Sequence, residues 1–389
     1  MMSLPDKTPG PLCAFDVTAL QQAESSGVAR YVRELMRALT RDSRAWRFGA
    51  LASRPLVQSG AGLEMPMLSG PTRGRRLIWM QTQAPGVLRR ARPAVAHFTN
   101  MVAPLRAPCP IVLTIHDASL VRHPELHSFR HWLAVRPLLP LMARRADAVI
   151  TVSRSAREDI VSILGVKPDR AHVVYNAPPA DYLPVRDAAA LKEVRERYAL
   201  PERFFLFVGT LEPRKNALAL IEAIGIARRT VPDLALVMVG PLGWKYEATL
   251  ARIAALGLGQ AIRRLGFVVD ADLPALYSLC DAVVYPSLYE GFGFPIVEGM
   301  ACGAPVITTN ASAMREIAAD AAILVEPGAP DALARAMLDV RGSPALAAEL
   351  RARGRIRSAD FSWTRAAGQT LDVYDDVVAR RAARMIHGA

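Results

Sequence analysis

Cysteine is scarce in this chain. The four present, Cys13, Cys109, Cys280 and Cys302, stand far apart and form no C-x-x-C pair. That scatter argues against a disulfide framework or a thiolate zinc site and fits a reducing compartment. Long apolar runs are also missing, so no segment reads as a membrane span. Met1–Leu12 carries Pro5, Pro9 and Pro11 and lacks the apolar stretch of a signal peptide. No strict internal repeat or low-complexity tract occurs. No D-x-D pair is apparent at the end of a candidate strand, so a divalent-metal site is not expected.

The 389 residues are 51% hydrophobic and 22% charged, enough to fill cores and too many for one ordinary domain. The formal net charge is +12. Residues 1–185 hold 24 basic against 13 acidic side chains, and the remainder holds 24 against 23. The excess therefore sits in the first half, with clusters at Arg73, Arg75 and Arg76, at Arg89, Arg90 and Arg92, and at Arg144 and Arg145. A basic half suits an anionic partner: a phospholipid surface, a pyrophosphate-linked acceptor or nucleic acid. A merely solvated, arginine-rich face is the plainer explanation. Arg130–Arg145 mixes arginines with Trp132, Leu133, Leu138, Leu139, Leu141 and Met142, but Pro137 and Pro140 break a long helix there.

Short β-branched runs alternate with longer helical patterns. Leu12–Asp16, Val95–Thr99, Ile111–Ile115 and Ala148–Val152 read as buried strands in the first half. Phe204–Gly209, Leu234–Gly240, Ala282–Tyr285, Pro305–Thr308 and Ile323–Val325 do so in the second. Val28–Thr40, Asn216–Arg229, Ala332–Val340 and the terminal stretch from Trp363 to Ala383 read as helices. This alternation predicts an α/β fold with a parallel sheet in each half, covered on both faces. Asn176–Asp187, with Pro178, Pro179 and Pro184, looks like the joint. The expected domains are 1–185, 186–362 and a terminal helix over 363–389.

The most informative segment is YPSLYEGFGFPIVEGMACGAPVIT, Tyr285–Thr308. Gly291 and Gly293 permit positive φ and close backbone approach in a tight loop at a strand's end. Pro295 suits the first turn of a helix. That helix end, with free N–H groups and a positive dipole, can bind phosphate. Glu290 in the loop and Glu298 about one turn into the helix can accept hydrogen bonds from sugar or ribose hydroxyls. Each piece alone is common. The second segment, FLFVGTLEPRKN, sets Arg214 and Lys215 just beyond a strand ending at Gly209. Two adjacent cations there suit a diphosphate. An isolated Arg-Lys pair is more often surface charge.

Together these segments resemble the retaining glycosyltransferases of family 4, which have the GT-B fold: two Rossmann-like, doubly wound parallel-sheet domains facing across a cleft. The family's E-x7-E pattern is matched by Glu290 and Glu298, followed by Gly303-Ala304-Pro305-Val306. First-half segments agree. Ser26–Tyr31 resembles the family's glycine loop, with Gly27 near the donor phosphates, and His116 in Thr114–Asp117 resembles the histidine that faces the sugar. Arg122–Glu125, Arg144–Ser153 and Gly240–Glu247 are similar to the bacterial subgroup acting in surface polysaccharide assembly, many of them mannosyltransferases using GDP-mannose. Ala118 departs from that subgroup's usual leucine.

The resemblance implies transfer of a hexose, foremost mannose from GDP-mannose, with retention of configuration through a front-face displacement. UDP- or dTDP-sugar donors, or a nucleotide-sugar epimerase on the same fold, are the alternatives, as is a binding module without catalysis. His116, Arg214, Lys215 and Glu290 are the implied catalytic set. Donor binding falls to Gly27, Gly209, Arg214, Lys215, Glu290, Gly291, Phe292, Gly293, Phe294, Pro295, Ile296, Val297 and Glu298. No cofactor and no metal are expected. The implied partners are a nucleotide-sugar donor and a saccharide or polyprenyl-diphosphate-linked acceptor, with peripheral contact to an anionic membrane and no nucleic acid. The implied location is cytoplasmic, at the inner face of the inner membrane.

Overall fold

The computed structural model describes residues 10–21, 26–42, 44–53, 66–68, 76–127 and 135–387. Arg73, Arg75, Arg130, Trp132, Leu133 and the start of Met1–Leu12 lie outside the described residues.

Six strands build the first sheet: β1 (Leu12–Asp16), β2 (Arg47–Leu51), β3 (Val95–Phe98), β4 (Ile111–Ile115), β5 (Ala148–Thr151) and β6 (Ala171–Val173). Their spatial order is β2-β1-β3-β4-β5-β6, all parallel. A single parallel bridge from Ala50 to Met67 extends the outer edge beside β2. The second sheet comprises β7 (Phe205–Val208), β8 (Leu236–Val239), β9 (Ile262–Gly266), β10 (Ala282–Tyr285), β11 (Val306–Thr309) and β12 (Ile323–Val325). Its order is β12-β11-β10-β7-β8-β9, again parallel throughout. Both halves are therefore Rossmann-like, with the strand order reversing between β1 and β3 and between β7 and β10.

The central strands are apolar because helices cover both faces. IVLTI of β4 and AVVY of β10 are buried along their whole length. The edge strand β9 is different: Arg263 and Arg264 are exposed. The last helix, Trp363–His387, packs against the first-half helix Gly27–Arg41. Its Tyr374 is wholly buried beside His97 of β3, at 2.5 Å from Nδ1.

Parallel strands put all loops that follow them on one side. Gly27, His116 and Val152 follow strands of the first sheet; Gly209, Gly240 and Glu290 follow strands of the second. All six line one cleft. Exposed Arg89, Arg90 and Arg92 precede β3, Arg106 precedes β4, and Arg144 and Arg145 precede β5. These cations sit at the amino ends of the strands, away from that cleft.

Candidate active site

The cleft has a volume of about 390 Å³ and is lined from both domains. Its floor is the loop after β10 and the helix that follows, Phe294–Ala301. The two loop glycines serve different ends. Gly293 adopts φ 96°, a left-handed conformation that turns the chain into the helix. Gly291 has no room for a side chain, since a Cβ would stand 1.9 Å from the His116 carbonyl oxygen across the cleft. Phe294 reaches the other way, its ring 3.6 Å from where a Cβ on Gly27 would lie.

Arg214 and Lys215 occupy a short helical turn, Pro213–Lys215, beyond β7. Both grip Glu290. Arg214 Nη1 donates to Oε2 at 2.6 Å and Lys215 Nζ to Oε1 at 2.6 Å. Arg214 also donates to Glu212 at 2.9 Å, and Lys215 meets the Tyr285 hydroxyl at 2.5 Å. Burial alone would raise the Glu290 carboxyl. Arg214 and Lys215 outweigh it and hold the pKa at about 2. Burial pulls the Lys215 ammonium below its ordinary value, with Glu290 opposing. The carboxylate expected to face the sugar is thus held by the two cations expected to hold the diphosphate. A bound anion would share those cations with it.

Glu298 is 1% exposed. It accepts from Tyr277 Oη at 2.8 Å on one oxygen and from Arg30 Nη1 on the other. His116 lines the cleft from the end of β4. Its Nε2 lies 3.0 Å from the Thr99 carbonyl oxygen, which makes Nε2 the protonated nitrogen. Burial lowers its pKa, so the ring is neutral near pH 7.

Gly27, Gly209, Phe292 and Pro295 also line the cleft. Ile296 and Val297 do not. Both side chains are fully buried in the core, on the inner face of a helix packed against its sheet. Any donor contact from these two positions belongs to their backbone. Contrary to expectation, a D-x-D sequence does follow a strand: Asp270-Ala271-Asp272 comes just after β9. Its carboxylates diverge. Asp270 bonds Arg30 and Arg33, each at 3.0 Å, whereas Asp272 bonds Arg197 at 2.7 Å and Tyr198 at 2.6 Å. Among the described residues, no group of three His, Cys, Asp or Glu side chains could hold a metal ion.

Several participants were not singled out from sequence. Asp117 stands 3.9 Å from Arg214, and Tyr289 donates to Asp159 of the first domain at 2.6 Å. Arg30 was visible only as part of the glycine-loop stretch.

Buried histidines make the fold acid-sensitive. Burial depresses His97 to about 3 and lowers His116 too. In the unfolded chain both titrate near about 6.5. Their neutral burial therefore contributes stability that is complete above about pH 6.5 and lost as pH falls toward 3. Urea denaturation should show a lower midpoint at pH 5 than at pH 7.5, with a shallower pH dependence for His97→Gln.

A cleft between two Rossmann-like sheets, with cations and a helix amino end at its floor, defines an enzyme class that binds a nucleoside diphosphate. Comparison with known proteins supplies the family. Residues 25–181 match the model of "Glycosyltransferase Family 4" and residues 192–357 that of "Glycosyl transferases group 1". The chain is 32% identical to O-antigen chain mannosyltransferase B of Escherichia coli, over 77% of this chain and 78% of that protein. It is 29% identical to an MMP alpha-(1->4)-mannosyltransferase of Mycolicibacterium hassiacum, over 70% of this chain and 67% of that one. Among solved structures, Anabaena HepE in complex with UDP and glucose superposes with a TM-score of 0.77 at 21% identity, covering 94% of this chain and all of that one. The chain belongs to the family 4 glycosyltransferases and has the GT-B fold. It is a hexosyltransferase.

Proposed function

We propose that the enzyme transfers mannose from GDP-mannose, with retention, to a saccharide acceptor in surface polysaccharide assembly. The observation that carries the donor-site reading is the meeting of Arg214, Lys215, Glu290, Glu298 and the Phe294–Ala301 helix end in one interdomain cleft. The mannosyl reading is supported by the E. coli relative named for that activity. In the proposed step the acceptor hydroxyl oxygen bonds the anomeric carbon as the bond to the β-phosphate oxygen breaks, and the acceptor proton passes to the leaving diphosphate. Arg214, Lys215 and the helix end stabilise charge growing on that diphosphate. Neutral His116 offers the sugar a hydrogen-bonding edge.

The test is a panel of nucleotide sugars read by thermal shift and by transfer to a mannose-terminated oligosaccharide. GDP-mannose should raise the melting temperature and be consumed. No response to any GDP-sugar, with response to a UDP- or dTDP-sugar, would overturn the donor assignment. A new nucleotide sugar formed without acceptor would favour the epimerase.

Two further expectations belong to this reading. Transfer should persist in excess EDTA, because the D-x-D carboxylates are already ion-paired or hydrogen-bonded within the protein. Complete loss restored by Mg²⁺ or Mn²⁺ would refute metal independence. The basic first domain is proposed to rest on the anionic inner face of the membrane, each arginine near it contributing about 1 kcal/mol. A bilayer at the amino ends of the first sheet's strands would leave the cleft facing away, suited to the far end of a lipid-linked saccharide. Flotation with anionic vesicles should show binding at low salt that is lost at high salt. Equal binding to neutral vesicles, or none to either, would refute it.

A further inference from the structure

The cleft holds a third cation besides Arg214 and Lys215, and it comes from the opposite domain. Arg30 lies one turn into the helix Gly27–Arg41 and lines the cleft. Its side chain is 13% exposed. Both of its ion pairs are with carboxylates of the second half. Nη1 donates to Glu298 Oε1, and Nη2 to Asp270 Oδ1 at 3.0 Å. The guanidinium also lies over the ring of Tyr182, 5.5 Å from its centroid, within the stretch joining the domains. Burial works against the cation. The Glu298 carboxylate, Tyr182 and Asp270 outweigh it and keep Arg30 charged.

Glu298 is consequently tied at both oxygens, by Arg30 and by Tyr277. An ionised carboxylate has about four acceptor sites. Two donors leave room for two more, as many as the 2′- and 3′-hydroxyls of a ribose supply. A free glutamate has several rotamers, and a carboxylate beside a diphosphate is electrostatically unfavourable unless a cation offsets it. Arg30 meets both needs. The planar guanidinium fixes the orientation of Glu298 and neutralises its charge, and Asp270 and Tyr182 hold the guanidinium itself.

We propose that Arg30 is a positioning residue for the ribose of the donor: it presents Glu298 to the ribose diol, and does so only when the two domains are closed on each other. The inference rests on the donor-site reading above, in which Glu298 receives the ribose. It adds a coupling. Arg30 and Glu298 belong to different domains, so recognition of the sugar of the nucleoside reports domain closure. The two cations assigned to the diphosphate, Arg214 and Lys215, both belong to the second domain and need no closure to stand together.

The experiment compares GDP and UDP with their 2′,3′-dideoxy forms by titration calorimetry on the full chain. Wild type should prefer the ribose form of the nucleotide it binds by roughly tenfold or more, the loss expected for bonds to a charged group. Glu298→Gln should reduce that preference and so tests the underlying reading. Arg30→Gln should reduce the preference to within about twofold and weaken the dideoxy forms less than the ribose forms, since it leaves the Glu298 charge beside the diphosphate without its cation. Arg30→Lys keeps the charge without the fork and should be intermediate. Asp270→Asn, which loosens the anchor of Arg30 without touching Glu298, should move the ratio the same way. If Glu298→Gln retains the wild-type preference, the ribose assignment fails and the role of Arg30 fails with it. If Glu298→Gln loses the preference and a folded Arg30→Lys and Asp270→Asn both keep it, the assignment stands and the Arg30 inference is overturned. Equal weakening of ribose and dideoxy forms by the Arg30 variants would also overturn it, since a structural or phosphate-binding role has that signature.

Discussion

Arg214→Ala and Lys215→Ala should each lower kcat/KM by roughly 10²–10³-fold, the loss seen when one preorganised donor is removed from a developing anion. The geometry explains why the folds of the single variants should survive. Glu290 is held from two sides, Arg214 on Oε2 and Lys215 on Oε1, each at 2.6 Å. Removing either leaves the other to neutralise a carboxylate that is 7% exposed. Removing both strands that carboxylate without a cation, a situation that typically costs about 3–5 kcal/mol. The double variant should therefore lose more stability in urea than the two singles added together, a coupling expected of residues sharing a partner. Arg214→Lys should recover part of the activity by restoring charge, but not the bonds to Glu290 and Glu212 made by one fork. Activity within twofold of wild type in both single variants would remove these residues from the donor site.

Central strands were legible because burial on two faces forces a continuous apolar run, as in β4 and β10. Three strands escaped notice, and all three lie at sheet edges: β2, β6 and β9. β2 is buried from Phe48 to Leu51 and bridged to Met67, but RFGAL has no β-branched residue; β9 has one strand neighbour and a rim open to water. IRRLG can therefore pair as β9 while exposing two arginines, and it shows no apolar signature. The same physics limited the site. Motif spacing pointed to Glu290 and Glu298 because both lie in one short stretch of chain, a loop and the helix it opens. It could not reveal which cations hold them, since Arg30 lies 268 positions from Glu298 and only the fold brings them together. The side chains of Ile296 and Val297 face the core, which the motif string does not show. A contiguous motif string does not distinguish residues that face the cleft from those that face the core one helical step later. Asp270 and Asp272 show the converse: two carboxylates two positions apart satisfy a sequence pattern, yet their side chains point to different arginines.

Gly291→Ala should reduce transfer about 100-fold with little effect on the stability of either domain. The added methyl would stand 1.9 Å from the His116 carbonyl oxygen, 2.7 Å from its carbon and 3.1 Å from Asp117 Cβ. Backbone atoms cannot rotate out of the way as a flexible side chain can. The loop after β10 and the end of β4 belong to different domains, so the strain is relieved most easily by moving the domains apart. Neither core need be disturbed. A separation near 1 Å at that point displaces His116 relative to the Glu290 loop, and misplacement of that size can cost about 10²-fold. Gly293→Ala provides the contrast. Its φ of 96° is strained for alanine, but the nearest atom to the new methyl is Ile296 Cδ1 at 3.1 Å, within the same domain. Its cost should appear as lowered stability of the second domain. Gly291→Ala should instead leave the urea midpoint nearly unchanged, weaken donor binding and increase the radius of gyration in small-angle scattering. Wild-type kcat/KM in Gly291→Ala would show that the loop and the His116 strand need not touch during transfer, and the closed cleft would lose its place in the reaction.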